Sequence, residues 1–207
     1  MSINAHYPVW VGIGITINKK SRACASLVEM SEILSQKYGD KLKSAKEFNI
    51  NLYDFDAPKS ELKNIEKELR DILNEFMGFK IKVNVVRSFD FGIVFLEIEK
   101  TIELYNLHKK IVEKINPYRK GLICKDYLEE KRNYNSSKKE MIEKYGNPHV
   151  LDEFYHHITI GMVKPSKLDS AIKDLKKLSR KMEIGVNSIH IAINDNGKRN
   201  KKEVKLK

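Results

Sequence analysis

The stretch Tyr-His-His-Ile-Thr-Ile-Gly at residues 155–161 carries the pattern on which both the fold and the candidate site depend. In an extended strand, residues two apart lie on the same face of a sheet. His157 and Thr159 would therefore stand side by side, while Ile158 and Ile160 would turn to the opposite face. Because an imidazole titrates near neutrality and a hydroxyl donates a hydrogen bond, this pair is suited to holding and protonating a phosphate oxygen.

The composition is that of a globular protein in a reducing compartment. The 207 residues suit one domain, 41% of them are hydrophobic, and no apolar run approaches the roughly 20 residues that span a bilayer. Residues 1–16 lack a basic segment and a cleavage site, so they predict a strand and no signal peptide. Cys24 and Cys124 lie far apart outside any metal-binding motif, so we expect inert thiols in a cytoplasmic protein.

Positive charge is concentrated toward the C-terminus. The net charge is +11, and residues 164–207 hold 13 Lys and Arg against 5 Asp and Glu. A basic region of this kind is the electrostatic footprint of a polyanion, such as RNA or a nucleotide. The chain is also rich in Lys, Ile and Asn throughout, so a general compositional bias is the alternative interpretation.

Hydrophobic periodicity divides the chain into helices and strands. Period-two alternation predicts strands, and apolar spacing of three or four predicts helices. The clearest helix covers 58–77, with Pro58 near its start and Gly78 just past its end. The polar segment 119–140 could be an exposed helix or a loop. The other predicted elements are strands at 9–17, 48–55, 79–85, 93–98, 154–163, 183–193 and 202–206, and helices at 21–38, 101–115 and 166–181.

The two halves of the chain repeat the same order of elements. Each has a helix, a strand with a polar pair, a second helix and then two strands that form a hairpin. The pattern predicts an α+β fold with two lobes related by a pseudo-two-fold axis, each with helices on an antiparallel sheet, and a central cleft between them. We expect a single bilobal domain over 1–207, with lobe one at about 8–99 and lobe two at about 100–207.

The element order and the motif at 157–160 resemble the two-histidine (2H) phosphoesterase superfamily, which includes RNA 2′,3′-cyclic phosphodiesterases and 2′-5′ RNA ligases. In that superfamily each lobe contributes one His-x-Thr/Ser motif to a central cleft. Residues 145–154, which lead into the motif, also resemble a branch associated with phosphonate metabolism. The first motif departs from the pattern, because Asn49 stands in the place of the histidine and Asn51 in the place of Thr/Ser.

The resemblance implies roles for the polar residues of both motifs. His157 would be the general acid or base and Thr159 a phosphate ligand, and these two are the candidate catalytic residues. The candidate substrate-binding residues are Asn49, Asn51, Tyr53 and Tyr155. We expect no metal, no cofactor and no membrane, and the expected partner is a phosphate-containing small molecule, a nucleotide or an RNA end.

Three functions remain open at this point. The first is a phosphodiesterase acting on a cyclic phosphate or a 2′-5′-linked end, and the second is binding of a phosphate ester without turnover. The third is a scaffold or protein-interaction module that retains only the fold. Asparagine can hydrogen-bond a phosphate oxygen but cannot exchange a proton near neutral pH, so the missing histidine favours the second over the first.

Several side chains offer alternatives to this scheme. Tyr53 or Tyr155 could supply the missing proton, although the usual tyrosine pKa of about 10 opposes this. A zinc site formed by His149 and His157 is a further alternative. His156 points away from its neighbour in a strand, so the adjacent histidines do not form a natural chelate for one metal ion.

Overall fold

The described elements follow the predicted order with one exception: the strand predicted at 183–193 is two strands, Met182–Val186 and Ser188–Asp195, which belong to different sheets. The computed structural model describes residues 7–38, 47–178 and 181–206. The strands are β1 (Pro8–Thr16), β2 (Asn49–Pro58), β3 (Phe79–Ser88), β4 (Ile93–Ile98), β5 (His157–Met162), β6 (Met182–Val186), β7 (Ser188–Asp195) and β8 (Lys198–Lys205). The α-helices are α1 (Arg22–Tyr38), α2 (Leu62–Leu73), α3 (Ile102–Ile115), α4 (Lys125–Glu130), α5 (Ser136–Tyr145) and α6 (Leu168–Leu178). Residues 179–180 of the predicted helix at 166–181 lie outside the described residues.

The strands form two antiparallel sheets of four strands each. The first sheet has the order β2-β1-β7-β8, and the second sheet has the order β5-β4-β3-β6. The strand β5 that carries His157 is at the edge of the second sheet, and β2, which carries the asparagine pair, is at the edge of the first. The expected α+β architecture with two lobes is confirmed, and the two motif strands occupy equivalent positions in it.

The boundary between the lobes differs from the prediction. The order β1-α1-β2-α2-β3 corresponds in sheet position to β4-α3-β5-α6-β7, and in each repeat the third strand joins the sheet of the other repeat. The second repeat therefore begins at β4, and neither sheet is built from one of the predicted segments 8–99 and 100–207. A two-stranded hairpin is marginally stable, so the exchanged strand gives each sheet the strands that a stable apolar face requires.

Two helices cover each sheet. Helices α2 and α3 pack against strands of the first sheet, and α1 and α6 against strands of the second. In α2, Ile65, Leu69 and Ile72 fall at helical spacing, and all three are buried. This helix begins at Leu62 and not at 58, because β2 continues to Pro58 and one 3-10 turn follows. No helix in the described ranges has the length and apolar character to cross a membrane.

A bulge in β2 decides which side chains reach the centre of the molecule. Ile13 pairs with Tyr53 and Gly14 pairs with Asn51, so Leu52 is an extra residue on β2. Such an insertion shifts the alternation of faces by one residue. Tyr53 is consequently buried with 1% exposure, whereas Asp54 stays partly exposed. The prediction that Tyr53 shares a face with the asparagines is therefore wrong, and Asp54 takes its place.

A buried arginine, Arg119, holds the end of α5 and the start of the loop that follows it. Arg119 is 3% exposed, and its guanidinium donates to the side chain of Asn116 at 3.2 Å and to the carbonyl of Lys144 at 3.2 Å. Gly146 ends α5 with a left-handed φ of 73°, and a Cβ there would lie 2.7 Å from the arginine side chain. These contacts fix the start of the loop over 146–150, which continues to the candidate site.

Candidate functional site

A cavity of about 400 Å³ lies where the edge strands β2 and β5 approach each other. Strand β2 supplies one wall, β5 the other, and the loop between α5 and β5 closes one end. The polar side chains that line it include Asn51, Asp54, Tyr127, Asn147, His149 and His157. The cavity therefore collects polar groups from both lobes at the position where the sequence predicts a cleft.

His157 lines the cavity, and its Nε2 has no hydrogen-bond partner among the described residues. Its Nδ1 lies 2.8 Å from the carbonyl oxygen of Tyr155, which can only accept, so Nδ1 carries the hydrogen. The ring packs edge-on against Phe89 and Phe95, with centroids 5.7 Å and 5.2 Å away. Burial lowers the pKa of His157, and the hydrogen bond to the carbonyl partly opposes this. The unprotonated Nε2 is thus oriented by neighbours and available as a base or hydrogen-bond acceptor.

Asp54 is the centre of a hydrogen-bond network on the opposite wall. Its carboxylate accepts from the amide of Asn51 at 2.5 Å, from the amide of Asn147 at 3.0 Å and from the hydroxyl of Tyr127 at 2.8 Å. Its backbone carbonyl accepts a second bond from Asn147 at 2.9 Å. The network ties β2 to α4 and to the loop after α5, and it raises the pKa of Tyr127 strongly, since that hydroxyl is crowded by protein and faces a carboxylate.

His149 completes the same network from the loop. Its backbone N–H donates to the side-chain oxygen of Asn147 at 2.7 Å. The ring makes edge contacts with Tyr127 and Tyr134, whose centroids lie 6.5 Å and 6.0 Å away. Desolvation by the surrounding protein and the charge of Lys138 lower the pKa of His149, and the carboxylates of Asp54 and Glu153 partly oppose this. Two imidazoles that are neutral at pH 7 therefore line one cavity.

The charges around the cavity are mixed. Lys100 and Lys138 line it together with three carboxylates, those of Asp54, Asp152 and Glu153. Three neutral donors occupy acceptor positions of the Asp54 carboxylate but do not cancel its charge. Among the described residues, no group of three or more His, Cys, Asp or Glu side chains is arranged to hold a metal ion.

A known protein family matches most of the chain. The model of a family described as "Protein of unknown function (DUF1045)" matches residues 56–200. The chain belongs to the DUF1045 family. None of the curated proteins searched matches this DUF1045 protein.

Solved structures share the fold of the DUF1045 protein over nearly its whole length. E. coli LigT complexed with NADP+ is 12% identical, with a TM-score of 0.53, covering 97% of this chain and 99% of that chain. E. coli LigT complexed with 3′-AMP is 12% identical, with a TM-score of 0.52 and the same coverage. A crystal structure of a phosphoesterase also gives 12% identity, a TM-score of 0.52, and coverage of 97% and 99%. The 2H phosphoesterase fold expected from the sequence is therefore confirmed.

The structure brings only some of the sequence-predicted residues to the cavity. Asn51, Tyr155 and His157 line it, and the Tyr155 hydroxyl donates to Glu97 at 3.1 Å. Asn49 is exposed and pairs with Thr16 on β1, outside the described lining of the cavity.

Two further predicted residues lie outside the described cavity lining. Thr159 is exposed on β5, opposite Phe95 on β4. The prediction that Tyr53 binds substrate is wrong, because the bulge turns its side chain into the core. There its hydroxyl donates to the carbonyl of Tyr145 at 2.6 Å.

Sequence reasoning missed Asp54, Asn147 and His149 as a connected set in the DUF1045 protein. Asp54 lies three residues after Asn51, but only the bulge puts the two side chains on one face. Asn147 and Pro148 mark a turn, and His149 follows them directly, eight residues before His157. A histidine at a turn so close to the motif was the available signal for a second site residue. The 93-residue separation between Asp54 and Asn147 hides their contact from any local pattern.

Proposed function

We propose that this protein binds a phosphate ester, either a nucleotide or an RNA end, in the cavity between β2 and β5. The observation that carries the proposal is the Nε2 of His157, which has no partner among the described residues in a ring held at Nδ1 by the Tyr155 carbonyl, in a cavity that Asn51 also lines. A phosphate anion beside this ring favours its protonated form, and Nε2 then donates to a phosphate oxygen. Amide N–H groups, protonated imidazole and lysine ammonium groups are donors that suit phosphate oxygens. The 2H fold supports the same assignment, because E. coli LigT has been crystallised with NADP+ and with 3′-AMP.

Aromatic side chains at the cavity favour a nucleotide over inorganic phosphate. Phe89 and Tyr155 line it, and their rings lie 5.9 Å apart beside the His157 ring. Aromatic faces stack on nucleobases, and each such stack contributes about 1–3 kcal/mol to binding. A base would then occupy the wall formed by the second sheet, while the phosphate would lie toward His157 and Asn51.

The two thiols support a cytoplasmic location for this protein. Cys24 and Cys124 are both buried and unpaired. Unpaired thiols are typical of reducing compartments. We accordingly place the binding activity in the cytoplasm, where nucleotides and RNA ends are abundant.

Replacing His157 with Ala is expected to weaken binding of 3′-AMP by about tenfold to a hundredfold, since a hydrogen bond to a charged group contributes about 1.5–3 kcal/mol. Isothermal titration calorimetry at pH 7 measures the effect. Lys125→Ala is the control, because that lysine is exposed on α4 and lies outside the described cavity lining. Folded wild-type protein that binds neither 3′-AMP nor a 5′-phosphorylated or 2′,3′-cyclic RNA end would support the scaffold alternative instead.

Replacing Glu153 with Gln is expected to strengthen binding of the same nucleotide by about twofold to fivefold at low salt. Glu153 lines the cavity, so its carboxylate opposes an incoming phosphate, and the isosteric amide removes only the charge. The gain should shrink as salt is raised from 10 mM to 500 mM, because the Debye length falls from about 30 Å at 0.01 M to a few Å near 1 M. An affinity that does not change in the variant at any salt concentration would place the phosphate away from this side of the cavity.

A further inference from the structure

We propose that His149 takes the part of the histidine missing from the first motif and forms, with His157, a pair of proton-transfer groups for hydrolysis of a phosphodiester. The inference rests on the proposed binding function, because it uses the same cavity. Asn49 and Asn51 cannot exchange protons near neutral pH, so the β2 side of the cavity lacks such a group within the motif itself. His149 supplies one from the loop after α5.

A chain of hydrogen bonds attaches His149 to β2, the strand on which the first motif lies. The carboxylate and carbonyl of Asp54 hold the Asn147 amide at 3.0 Å and 2.9 Å, and the Asn147 side-chain oxygen accepts the backbone N–H of His149 at 2.7 Å. These bonds fix the backbone of His149 beside the β2 wall, and its exposed side chain lines the same cavity as His157.

Two tyrosine rings contact the ring of His149, and its nitrogens have no hydrogen-bond partner among the described residues. Tyr127 and Tyr134 contact it edge-on at 74° and 86° between ring planes. Within the described ranges, neither of its ring nitrogens takes part in a hydrogen bond, whereas both ring nitrogens of the core histidine His108 do. The two nitrogens are thus available to a ligand in a cavity that His157 also lines.

The electrostatic surroundings suit acid–base exchange between the two rings. Desolvation lowers the pKa of each ring below the usual histidine value, so the neutral form of each predominates at pH 7. A bound phosphate anion favours the protonated form of an imidazole beside it. One neutral and one protonated imidazole is the combination that general acid–base catalysis requires.

The step balances with water as the only co-reactant. The neutral imidazole removes a proton from water as the water oxygen bonds to phosphorus. The bond from phosphorus to the leaving ester oxygen breaks, and the protonated imidazole gives its proton to that oxygen. The products are a phosphomonoester and a free hydroxyl, and the two imidazoles exchange their protonation states before the next cycle.

The test compares turnover and binding of 2′,3′-cyclic AMP in the wild type, His149→Ala, His149→Asn and His157→Ala. We expect each single variant to lower kcat by about 10²–10⁴-fold. Because the two rings act as a unit, the kcat of the His149/His157 double variant should lie within about tenfold of the kcat of the poorer single variant. KM should change much less in the His149 variants. Lys125→Ala, on an exposed position of α4, should keep wild-type turnover.

Two further readouts separate proton transfer from a structural role. Adding free imidazole should restore part of the turnover of His149→Ala, and the wild-type bell-shaped pH profile of kcat should lose one limb in that variant. Wild-type protein that binds the cyclic nucleotide without turnover, or His149 variants that turn over at the wild-type rate, would overturn the inference while leaving the proposed binding function intact. Absence of binding by the folded wild type would overturn both.

Discussion

At pH 5 the protein is expected to be on the order of 5 kcal/mol less stable toward unfolding than at pH 7, which approaches the whole stability of an ordinary domain. The cause is three buried histidines, His108, His156 and His190, each with its pKa lowered to about 4. Burial is the largest cause for each of them. The charge of His156, when it is protonated, also lowers the pKa of His108. The charge of Lys201 also lowers the pKa of His190.

The direction follows from proton binding in the two states. Between pH 6.5 and about 4 the unfolded chain takes up protons on these histidines and the folded chain does not. Stability is therefore fully present above pH 6.5 and is lost as the pH falls toward 4, by about 1.4 kcal/mol per pH unit for each histidine. Urea unfolding monitored by circular dichroism at half-unit steps from pH 7.5 to 5 measures the slope. A constant midpoint across this range would contradict the prediction.

His156→Leu isolates one of the three contributions. Neither ring nitrogen of His156 has a hydrogen-bond partner among the described residues, and the ring packs against Phe154 at 4.1 Å. Leucine should therefore keep or raise stability at pH 7 and reduce the slope below pH 6.5 by about a third. His108→Leu is the contrasting variant, because it removes bonds to the Leu52 carbonyl and the Leu151 N–H, and so should destabilise at both pH values.

Replacing Gly92 with Ala is expected to destabilise the protein by about 3 kcal/mol or more. Gly92 lies in the turn between β3 and β4 at a φ of 112°, and an added Cβ would overlap the backbone carbonyl oxygen of Val163. The overlap cannot be relieved by a side-chain rotation, because Val163 donates its N–H to the Gly92 carbonyl at 2.8 Å. Chemical denaturation at pH 7 gives the free energy of unfolding.

Gly121→Ala is the matched control for this change. Gly121 also has a positive φ, of 79°, but nothing lies within 4 Å of an added Cβ. It should therefore cost only about 1 kcal/mol for the backbone conformation. The Gly92 variant should also weaken ligand binding, since the same turn positions Phe89 against the His157 ring. Equal losses in the two variants would show that the contact with Val163 is not restrictive.

Local patterns predicted the elements but not the pairing between them. The alternation at 155–161 placed His157 correctly on a strand facing a cleft, because period-two patterning follows directly from strand geometry. The bulge at Leu52 could not be inferred in the same way, since it arises from pairing with β1 and shifts every later face of β2. The missing histidine was evident from sequence, whereas its proposed replacement, His149, depends on a contact with Asp54 made through Asn147.

The exchange of strands between the sheets bears on how the protein can fold during synthesis. The first sheet places β1 between β2 and β7, and the second places β3 between β4 and β6. On the ribosome, both sheets stay incomplete until residues 182–205 have emerged, so one hydrogen-bonding edge of β1 and one of β3 remain unpaired through most of translation. Pairing of this long range slows folding, and unpaired strand edges are prone to aggregation while they wait. A circular permutant that begins at β6 would offer those strands first.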